Sequence, residues 1–346
     1  MNYIGHLDLD AFFARAEILR RPELNGKPVV VCVYTRSENS GAVSTSNYEA
    51  RESGIRSGMP VGKARKKAPE NTVFLETDHE YYRHKSGQVM EVLSEHSGEV
   101  QRTSIDEAFF KLEELETAEK IRSDVRELGL TASVGIGANK LVAKMASEED
   151  KPDGMTFIPE EQTQEFLAGK KVSEVPGIGD ATTEKLRSLG IETCGELRET
   201  NNMKLVEVFG KNRAAELKRK SQGMGSREFQ DSEKKQVSKI RTMSRNSSDP
   251  EFIGRELEKA VERLYQRISG EKAFRSVTFI AIDSELKTFT RSTGVDTSDS
   301  KKVLLDTSRE LMHAFLDEHS RELRRVGARV SDLLDRKKQK SLQSFH

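Results

Sequence analysis

The stretch Thr103-Ser104-Ile105-Asp106-Glu107-Ala108-Phe109-Phe110 places two adjacent carboxylates inside a run that otherwise predicts a buried strand. Because successive side chains of a strand point to opposite faces, Asp106 and Glu107 cannot both lie on one solvated face. A buried carboxylate is stable only when it is paired or binds a metal ion. The alternative is a turn at a sheet edge with both acids solvated, as most isolated Asp-Glu pairs are.

A third acid, Asp8, lies in a similar setting, Gly5-His6-Leu7-Asp8-Leu9-Asp10-Ala11-Phe12-Phe13. If this strand pairs with the strand that carries Asp106 and Glu107, the three carboxylates converge on one site for a hard cation. The seven histidines form no cluster with metal-ligand spacing, so oxygen ligands are expected.

Length and charge indicate several domains and two kinds of surface. A chain of 346 residues is longer than one hydrophobic core usually serves. Residues 1–160 carry 21 basic and 27 acidic side chains, whereas residues 161–346 carry 36 and 30. The acidic half suits a cation site and the basic half suits a polyanion, although a solvated surface would give the same counts.

The cysteines and the apolar runs exclude several classes of protein. Cys32 and Cys194 lie far apart and lack the spacing of a zinc site or a redox pair, which predicts a reducing, cytoplasmic location. No apolar run approaches the roughly 20 residues of a membrane span, and no signal-peptide pattern precedes the first strand. We therefore expect no membrane partner.

The order of predicted elements is mixed, which indicates an α+β sheet domain up to about residue 160. Within it, Ser40 to Arg51 is a stretch of small residues leading into a helix; it would present amides to a phosphate, or form an ordinary loop. Beyond it, Val175-Pro176-Gly177-Ile178-Gly179-Asp180 has the pattern of a helix-hairpin-helix, whose glycines permit close approach to a nucleic-acid phosphate. An ordinary tight turn is the alternative.

The C-terminal third predicts a second domain with βαββαβ order. Its strands carry several basic side chains, which we interpret as a surface that follows phosphates, with a solvated face as the alternative. These residues are Lys239, Arg241, Arg245, Arg275, Arg291, Arg324, Arg325 and Arg329.

Together these motifs resemble Y-family translesion DNA polymerases of the DNA polymerase IV (DinB) type, most closely their archaeal members. The resemblance covers nearly the whole chain, and although each motif alone is weak, six of them in the family's order are specific. They are Asp8-Leu9-Asp10-Ala11-Phe12-Phe13, Ala42-Val43-Ser44-Thr45-Ser46-Asn47-Tyr48-Glu49-Ala50-Arg51, Ser104-Ile105-Asp106-Glu107-Ala108, Val134-Gly135-Ile136-Gly137-Ala138-Asn139-Lys140, Lys151-Pro152-Asp153-Gly154 and Val175-Pro176-Gly177-Ile178-Gly179.

The resemblance implies an α+β multidomain, right-hand polymerase with a catalytic palm, small fingers, a helix-hairpin-helix thumb and a DNA-binding βαββαβ little finger. The implied boundaries are 1–10 and 74–160 for the palm, 11–73 for the fingers, 161–232 for the thumb, 233–240 for a linker, 241–335 for the little finger and 336–346 for a clamp-binding tail.

The resemblance also implies the metal and nucleotide ligands. Asp8, Asp106 and Glu107 are the expected catalytic acids, holding two Mg²⁺ ions with help from the Leu9 carbonyl, whereas Asp10 is not expected to bind metal. Phe13 matches the steric gate, where an aromatic ring collides with a ribose 2′-OH. A core role is the alternative, and it suits Phe12 better than Phe13. The expected nucleotide contacts are Phe12, Phe13, Thr45, Tyr48, Arg51 and Lys151.

The expected partners are primer–template DNA, dNTPs and a sliding clamp, with the chain acting as a monomer. Two features depart from the family pattern: Ser147-Glu148-Glu149-Asp150, before Lys151, is unusually acidic, and His346 stands where the clamp motif usually has a second aromatic residue. The expected DNA contacts are Gly177, Gly179, Lys211, Arg241, Arg245, Arg291 and Arg325, and the expected clamp contacts are Gln339, Leu342 and Phe345.

The implied activity is template-directed DNA synthesis of low fidelity and low processivity that passes damaged bases without proofreading. One alternative is a catalytically silent DNA-binding repair scaffold of the same fold, against which the intact Asp8, Asp106 and Glu107 argue. Another is a nucleotidyl cyclase, in which the hairpin and the basic C-terminal region would have no use.

Overall fold

The computed structural model describes residues 3–35, 37–229 and 235–335. The chain divides into two compact units, the first within residues 1–231 and the second within residues 232–346. No helix in the described ranges is long and apolar enough to cross a membrane. The predicted clamp contacts Gln339, Leu342 and Phe345 lie outside the described residues.

The first part of unit one confirms the predicted mixture of helices and strands. Its elements are β1 (Tyr3–Leu9), α1 (Phe12–Arg20), β2 (Val29–Tyr34), β3 (Gly41–Ser46), α2 (Tyr48–Glu52), α3 (Val61–Lys67), β4 (Val73–Glu76), α4 (His79–His96), β5 (Val100–Arg102), β6 (Glu107–Leu112), α5 (Glu116–Glu127), β7 (Ala132–Gly137), α6 (Lys140–Ala146) and β8 (Met155–Phe157).

The main sheet has the strand order β5-β6-β1-β7-β8. Leu7, Phe110 and Val134 pack on one face in a core that includes side chains of α4 and α5. Helix α6 lies on the sheet beside β7 and β1. Gly135 makes this possible, because a Cβ there would lie 2.1 Å from the carbonyl oxygen of Ala143 in α6.

A smaller sheet has the order β3-β2-β4. The predicted boundary between fingers and palm at residue 74 was wrong, because β4 (Val73–Glu76) pairs in parallel with β2 and so belongs to the smaller sheet. The small-residue stretch after residue 40 is the strand β3, which pairs antiparallel with β2.

Residues 163–221 form a helical subdomain whose core includes Leu186, Leu197 and Leu217 and is shared with Leu141 and Met145 of α6. The predicted hairpin lies between a short 3-10 turn (Val172–Glu174) and α8. The helices are α7 (Thr163–Ala168), α8 (Asp180–Ser188), α9 (Cys194–Glu199), α10 (Asn202–Phe209) and α11 (Lys211–Ser221).

Unit two confirms the predicted βαββαβ order, in a sheet with strand order β11-β10-β12-β9. The predicted linker, residues 233–240, was wrong in part, since β9 begins at Gln236 and pairs with β12. The elements are β9 (Gln236–Ser247), α12 (Pro250–Tyr265), β10 (Lys272–Asp283), β11 (Thr288–Ser298), α13 (Lys301–Glu318), β12 (Leu323–Ser331) and β13 (Leu334–Asp335).

Candidate active site

The two adjacent acids lie at a hairpin turn. The prediction of one continuous strand there was wrong, because β5 and β6 pair antiparallel and residues 103–106 form the turn between them. Ser104 closes this turn: its hydroxyl accepts hydrogen bonds from the amides of Asp106 (3.1 Å) and Glu107 (3.0 Å) and donates to the Asp106 carboxylate. Both acids are half-buried, so the alternative of a turn was right and that of full solvation was wrong.

Strand register brings the third acid to the same place. Asp8 lies directly opposite Glu107 in the β1–β6 pair. One residue further, the Leu9 amide donates to the carbonyl oxygen of Asp106 at 2.9 Å. The predicted convergence of Asp8, Asp106 and Glu107 is therefore present in the backbone.

A cavity of about 180 Å³ lies beside these acids. Its wall combines carboxylates from β1 and the hairpin with hydroxyls from β3 and cations from α2 and residue 151. Of the predicted nucleotide and metal residues, Phe13 and Glu107 are not part of this wall. The lining residues are Asp8, Leu9, Asp10, Ala11, Phe12, Ser44, Thr45, Ser46, Tyr48, Arg51, Ser57, Asp106 and Lys151.

Lys151 supplies a cation to the cavity. Its Nζ lies 3.0 Å from Asp8 Oδ1 and 2.7 Å from Glu148 Oε1, so the acidic segment before it helps to position it. Burial raises the pKa of Asp8 to about 7, although Lys151 acts in the opposite direction. An additional cation beside Asp8 would therefore be favourable.

Glu107 is held by a residue that the sequence reasoning missed. Lys144 Nζ lies 2.6 Å from Glu107 Oε1; burial acts to raise the pKa of Glu107, but Lys144 lowers it overall. His6 Nε2 is 3.9 Å from the same carboxylate, but burial lowers the pKa of His6 to about 3, so the ring is neutral and forms no ion pair. Lys144 is one turn into α6, a position that only the packing of α6 on the sheet identifies.

The Asp10 carboxylate, which was not expected to bind metal, makes hydrogen bonds to two other parts of the palm. Its carboxylate accepts hydrogen bonds from Ser133 Oγ and from the amide of Asp153, both at 2.8 Å. The Tyr48 hydroxyl is at the limit of hydrogen-bond distance, 3.5 Å. Asp10 thus joins β1, β7 and the turn that follows Lys151.

The basic wall of the cavity, which carries Arg51 and Lys151, is held at Arg51 by α2, whose first turn is capped by Asn47. The Asn47 side chain accepts from the amide of Ala50 at 3.1 Å and also bonds the backbone of β2. The guanidinium of Arg51 lies 4.6 Å from the centre of the Tyr48 ring and donates to the Ser46 carbonyl. These contacts place Tyr48 and Arg51, two of the expected nucleotide contacts, at the cavity.

Three family models match this chain in order. The impB/mucB/samB family matches residues 7–148, the DNA polymerase-iota thumb domain matches residues 173–224, and the impB/mucB/samB family C-terminal domain matches residues 234–344. DNA polymerase IV of Methanosarcina acetivorans is 40% identical over 99% of both chains, and that of Saccharolobus solfataricus is 34% identical over 95% of this chain and 96% of its own.

The chain belongs to the Y-family of DNA polymerases. It is of the DinB type, and it is a DNA-directed DNA polymerase. A solved Y-family DNA polymerase chimera superimposes with a TM-score of 0.89 at 30% identity, covering 96% of this chain and 99% of its own. The insertion ternary complex of Dbh DNA polymerase gives a TM-score of 0.67 at 29% identity, with coverages of 96% and 99%.

Y-family polymerases use divalent metal ions, and the donor set of this member suits one. Asp8, Asp106 and the Leu9 carbonyl offer oxygen ligands at the cavity, and the raised pKa of Asp8 favours a neighbouring cation. Among the described residues, no three carboxylate, histidine or cysteine side chains are grouped closely enough to hold an ion without rearrangement. Lys151 and Lys144 bond Asp8 and Glu107 there.

The thumb hairpin of this polymerase is held by cations from α11. Gly177 has a φ of +81°, and its carbonyl accepts from Arg213 at 2.7 Å, while the Pro176 carbonyl accepts from Lys220 at 2.8 Å. The positive φ favours glycine at position 177, whereas a Cβ there would lie 2.5 Å from Lys220 Nζ, the end of a flexible side chain that can move aside. Gly179 is extended, and among the described residues no atom other than those of its chain neighbours would lie within 4 Å of a Cβ placed there.

The polymerase's second unit does not present one basic strand face. Arg241 pairs with Val326, and Arg291 pairs with Phe279, so both point to the side where α12 and α13 pack. Arg325 and Arg329 alternate with buried residues of β12 and point to the opposite, helix-free side.

The side-chain contacts of the arginines differ between the helix side and the helix-free side of the sheet. On the helix side, Arg241 Nε bonds Glu256 at 2.5 Å, and Arg291 bonds Glu318. Arg245 lies over the Phe252 ring, 4.8 Å from its centre. Lys211 is the exposed first residue of α11, after the positive-φ Gly210.

Proposed function

We propose that this polymerase copies DNA with low fidelity and low processivity, extends a primer 3′-OH with the help of two Mg²⁺ ions, passes damaged template bases and does not proofread. The observation that carries this proposal is that Asp8, Asp106, Arg51 and Lys151 all line one cavity. Carboxylates of this kind hold Mg²⁺, and cations of this kind hold a triphosphate.

Asp8, Asp106 and the Leu9 carbonyl would hold the metal ions, with Glu107 beside them at the hairpin. When bound, Mg²⁺ lowers the pKa of an attacking hydroxyl and stabilises charge on a triphosphate and its leaving group. Ser104 keeps Asp106 and Glu107 at fixed positions through its bonds to their amides.

The nucleotide would lie along the basic wall. Lys151, Arg51 and the Tyr48 hydroxyl would bind its phosphates, since all three reach the cavity from fixed backbone positions. Thr45 on β3 would add a hydroxyl contact. Phe13 would exclude the ribose 2′-OH as a steric gate, and Phe12, which lines the cavity, would contact the nucleotide directly.

DNA would be bound by the thumb hairpin and by arginines of the second unit, among them the half-buried Arg325 on the helix-free side of the sheet, with the chain acting as a monomer. Gln339, Leu342 and Phe345 would attach the tail to a sliding clamp, at an affinity reduced by His346. The spacing of these three residues supports that part of the proposal.

The test is primer extension with Mg²⁺ and dNTPs on intact and damaged templates, with and without a sliding clamp. Asp106→Ala should lower the rate by on the order of 10³-fold, because it removes a carboxylate from the reacting centre. Asp124→Ala, which removes a surface acid that bonds His96 at 2.6 Å, is the control and should extend normally. Extension by Asp106→Ala within tenfold of the unaltered chain would contradict the assignment, and product without template would indicate a cyclase-like reaction.

A further inference from the structure

The ring of Phe13 stacks on a second aromatic ring. It lies nearly parallel to the ring of Tyr82 on α4, with centroids 4.2 Å apart and an interplanar angle of 15°. Tyr82 is fully buried and Phe13 is 8% exposed. Because a stacked partner restricts how a ring can tilt, the orientation of Phe13 depends on Tyr82.

Tyr82 is itself anchored at its hydroxyl. The hydroxyl donates to Glu17 Oε1 at 2.7 Å, and Glu17 is a fully buried carboxylate. Arg20 satisfies the same carboxylate with two bonds, 2.9 Å from Nε to Oε2 and 2.7 Å from a terminal nitrogen to Oε1. Burial, and then the bond to Glu17, raise the pKa of Tyr82, so the hydroxyl stays a donor at neutral pH.

A buried carboxylate destabilises the fold unless its oxygens accept hydrogen bonds, and Glu17 has such donors in Tyr82 and Arg20. The cluster is therefore part of the core and not a surface ion pair. Glu17 lies four residues after Phe13 on α1, which places both side chains on one face of that helix. Arg20 also bonds Asp78, the residue that caps α4, at 2.9 Å. The cluster therefore fixes α1 and α4 to each other directly behind Phe13.

We propose that Tyr82, anchored by Glu17, is a positioning residue that holds the Phe13 ring and thereby sets the discrimination between deoxyribonucleotides and ribonucleotides. The inference rests on the proposed role of Phe13 as the steric gate. A gate ring excludes a 2′-OH only if it cannot tilt away from it, and the Tyr82 stack opposes that tilt.

The experiment measures kcat/KM for a dNTP and the matching rNTP on the full chain. Tyr82→Leu removes the stacked ring and should lower sugar discrimination about tenfold. Tyr82→Phe keeps the ring, loses the bond to Glu17 and should lower discrimination about threefold. In both, the change should come from faster rNTP use, with kcat/KM for the dNTP nearly unchanged.

Tyr81→Phe is the matched control. Tyr81 also loses a hydroxyl bond, to the Ala16 carbonyl at 3.2 Å, but its ring contacts Tyr82 and not Phe13. Discrimination should be unchanged in this variant. In a Phe13→Ala background, Tyr82→Leu should add nothing, because Tyr82 acts only through Phe13.

Equal losses for both sugars, or full additivity with Phe13→Ala, would show that Tyr82 is merely structural. Discrimination lost in Phe13→Ala but retained in both Tyr82 variants would refute this inference alone. If Phe13→Ala keeps full discrimination, the gate itself is wrong, and the role of Tyr82 is wrong with it. Tyr82→Phe preserves core volume, so the test survives if Tyr82→Leu does not fold.

Discussion

The charges of the cavity and those of the second unit's sheet are organised in opposite ways. At the cavity, Asp8 and Lys151 have side chains only 15% and 19% exposed and are 3.0 Å apart, in positions fixed by strand register and by Asp10. On the sheet, Arg325 and Arg329 stand on the side away from the helices, four residues apart on one strand.

This difference predicts how strongly the removal of each charged side chain should affect binding. A buried charge that loses its partner is left unpaired in a poorly solvated site, so each cavity residue should have a large, non-additive effect. A surface arginine that meets a phosphate contributes a small share that adds to the others and weakens with salt. The thumb hairpin lies between these extremes: Lys220 is as little exposed as Lys151, at 19%, but it bonds the Pro176 carbonyl and Glu216 and does not line the cavity.

Among the basic residues, the largest effect is expected at Lys151. Lys151→Ala should raise the KM for dNTPs about 30-fold, because a charged hydrogen-bond donor to the triphosphate is lost from the cavity. Lys170→Ala is the control, since Lys170 pairs with Glu149 and does not line the cavity. Steady-state kinetics at saturating DNA measures both, and an unchanged KM in Lys151→Ala would remove Lys151 from the nucleotide site.

An intermediate effect is expected at the thumb hairpin. Lys220→Ala should raise the Kd for primer–template DNA about fivefold, because the Pro176 carbonyl loses its donor and the hairpin loses its fixed shape. The salt dependence of binding should be unchanged, since Lys220 acts through the backbone and not on a phosphate.

Arg219→Ala removes an exposed cation from the same helix and should change Kd less than about twofold. Anisotropy titrations at several salt concentrations distinguish the two variants. If Lys220→Ala lowers the slope of log Kd against log salt concentration by about one, Lys220 contacts a phosphate directly. Its proposed role in holding the shape of the hairpin would then be wrong.

The sequence predicted the fold of each unit and the convergence of three acids, because periodicity and motif order are local properties. Ser104 and Lys144 escaped prediction for different reasons. A serine two residues before an acid is a known turn signal, so the hairpin was within reach of the sequence. The bond from Lys144 to Glu107 depends on how closely α6 packs on Gly135, which only tertiary structure shows.

The basic strands of the second unit show the same limit. Composition located the arginines, but a shift of one residue in register exchanges the two faces of a strand. Arg241 and Arg325 therefore looked equivalent in sequence, although one is bonded to a helix acid and the other lies on the helix-free side.

The smallest effects are expected on this sheet, and they test that division directly. Arg325→Ala and Arg329→Ala should each raise the Kd for DNA about threefold and lower the salt slope by about 0.9, because each frees one phosphate. Arg241→Ala should leave the slope unchanged and lower the Tm instead, since it deprives the buried Glu256 of a partner. Salt-dependent binding and thermal unfolding of the three variants measure both quantities. If Arg241→Ala and Arg325→Ala lower the salt dependence of binding equally, both sides of the sheet meet DNA. The assignment of DNA contacts to the helix-free side alone would then be wrong.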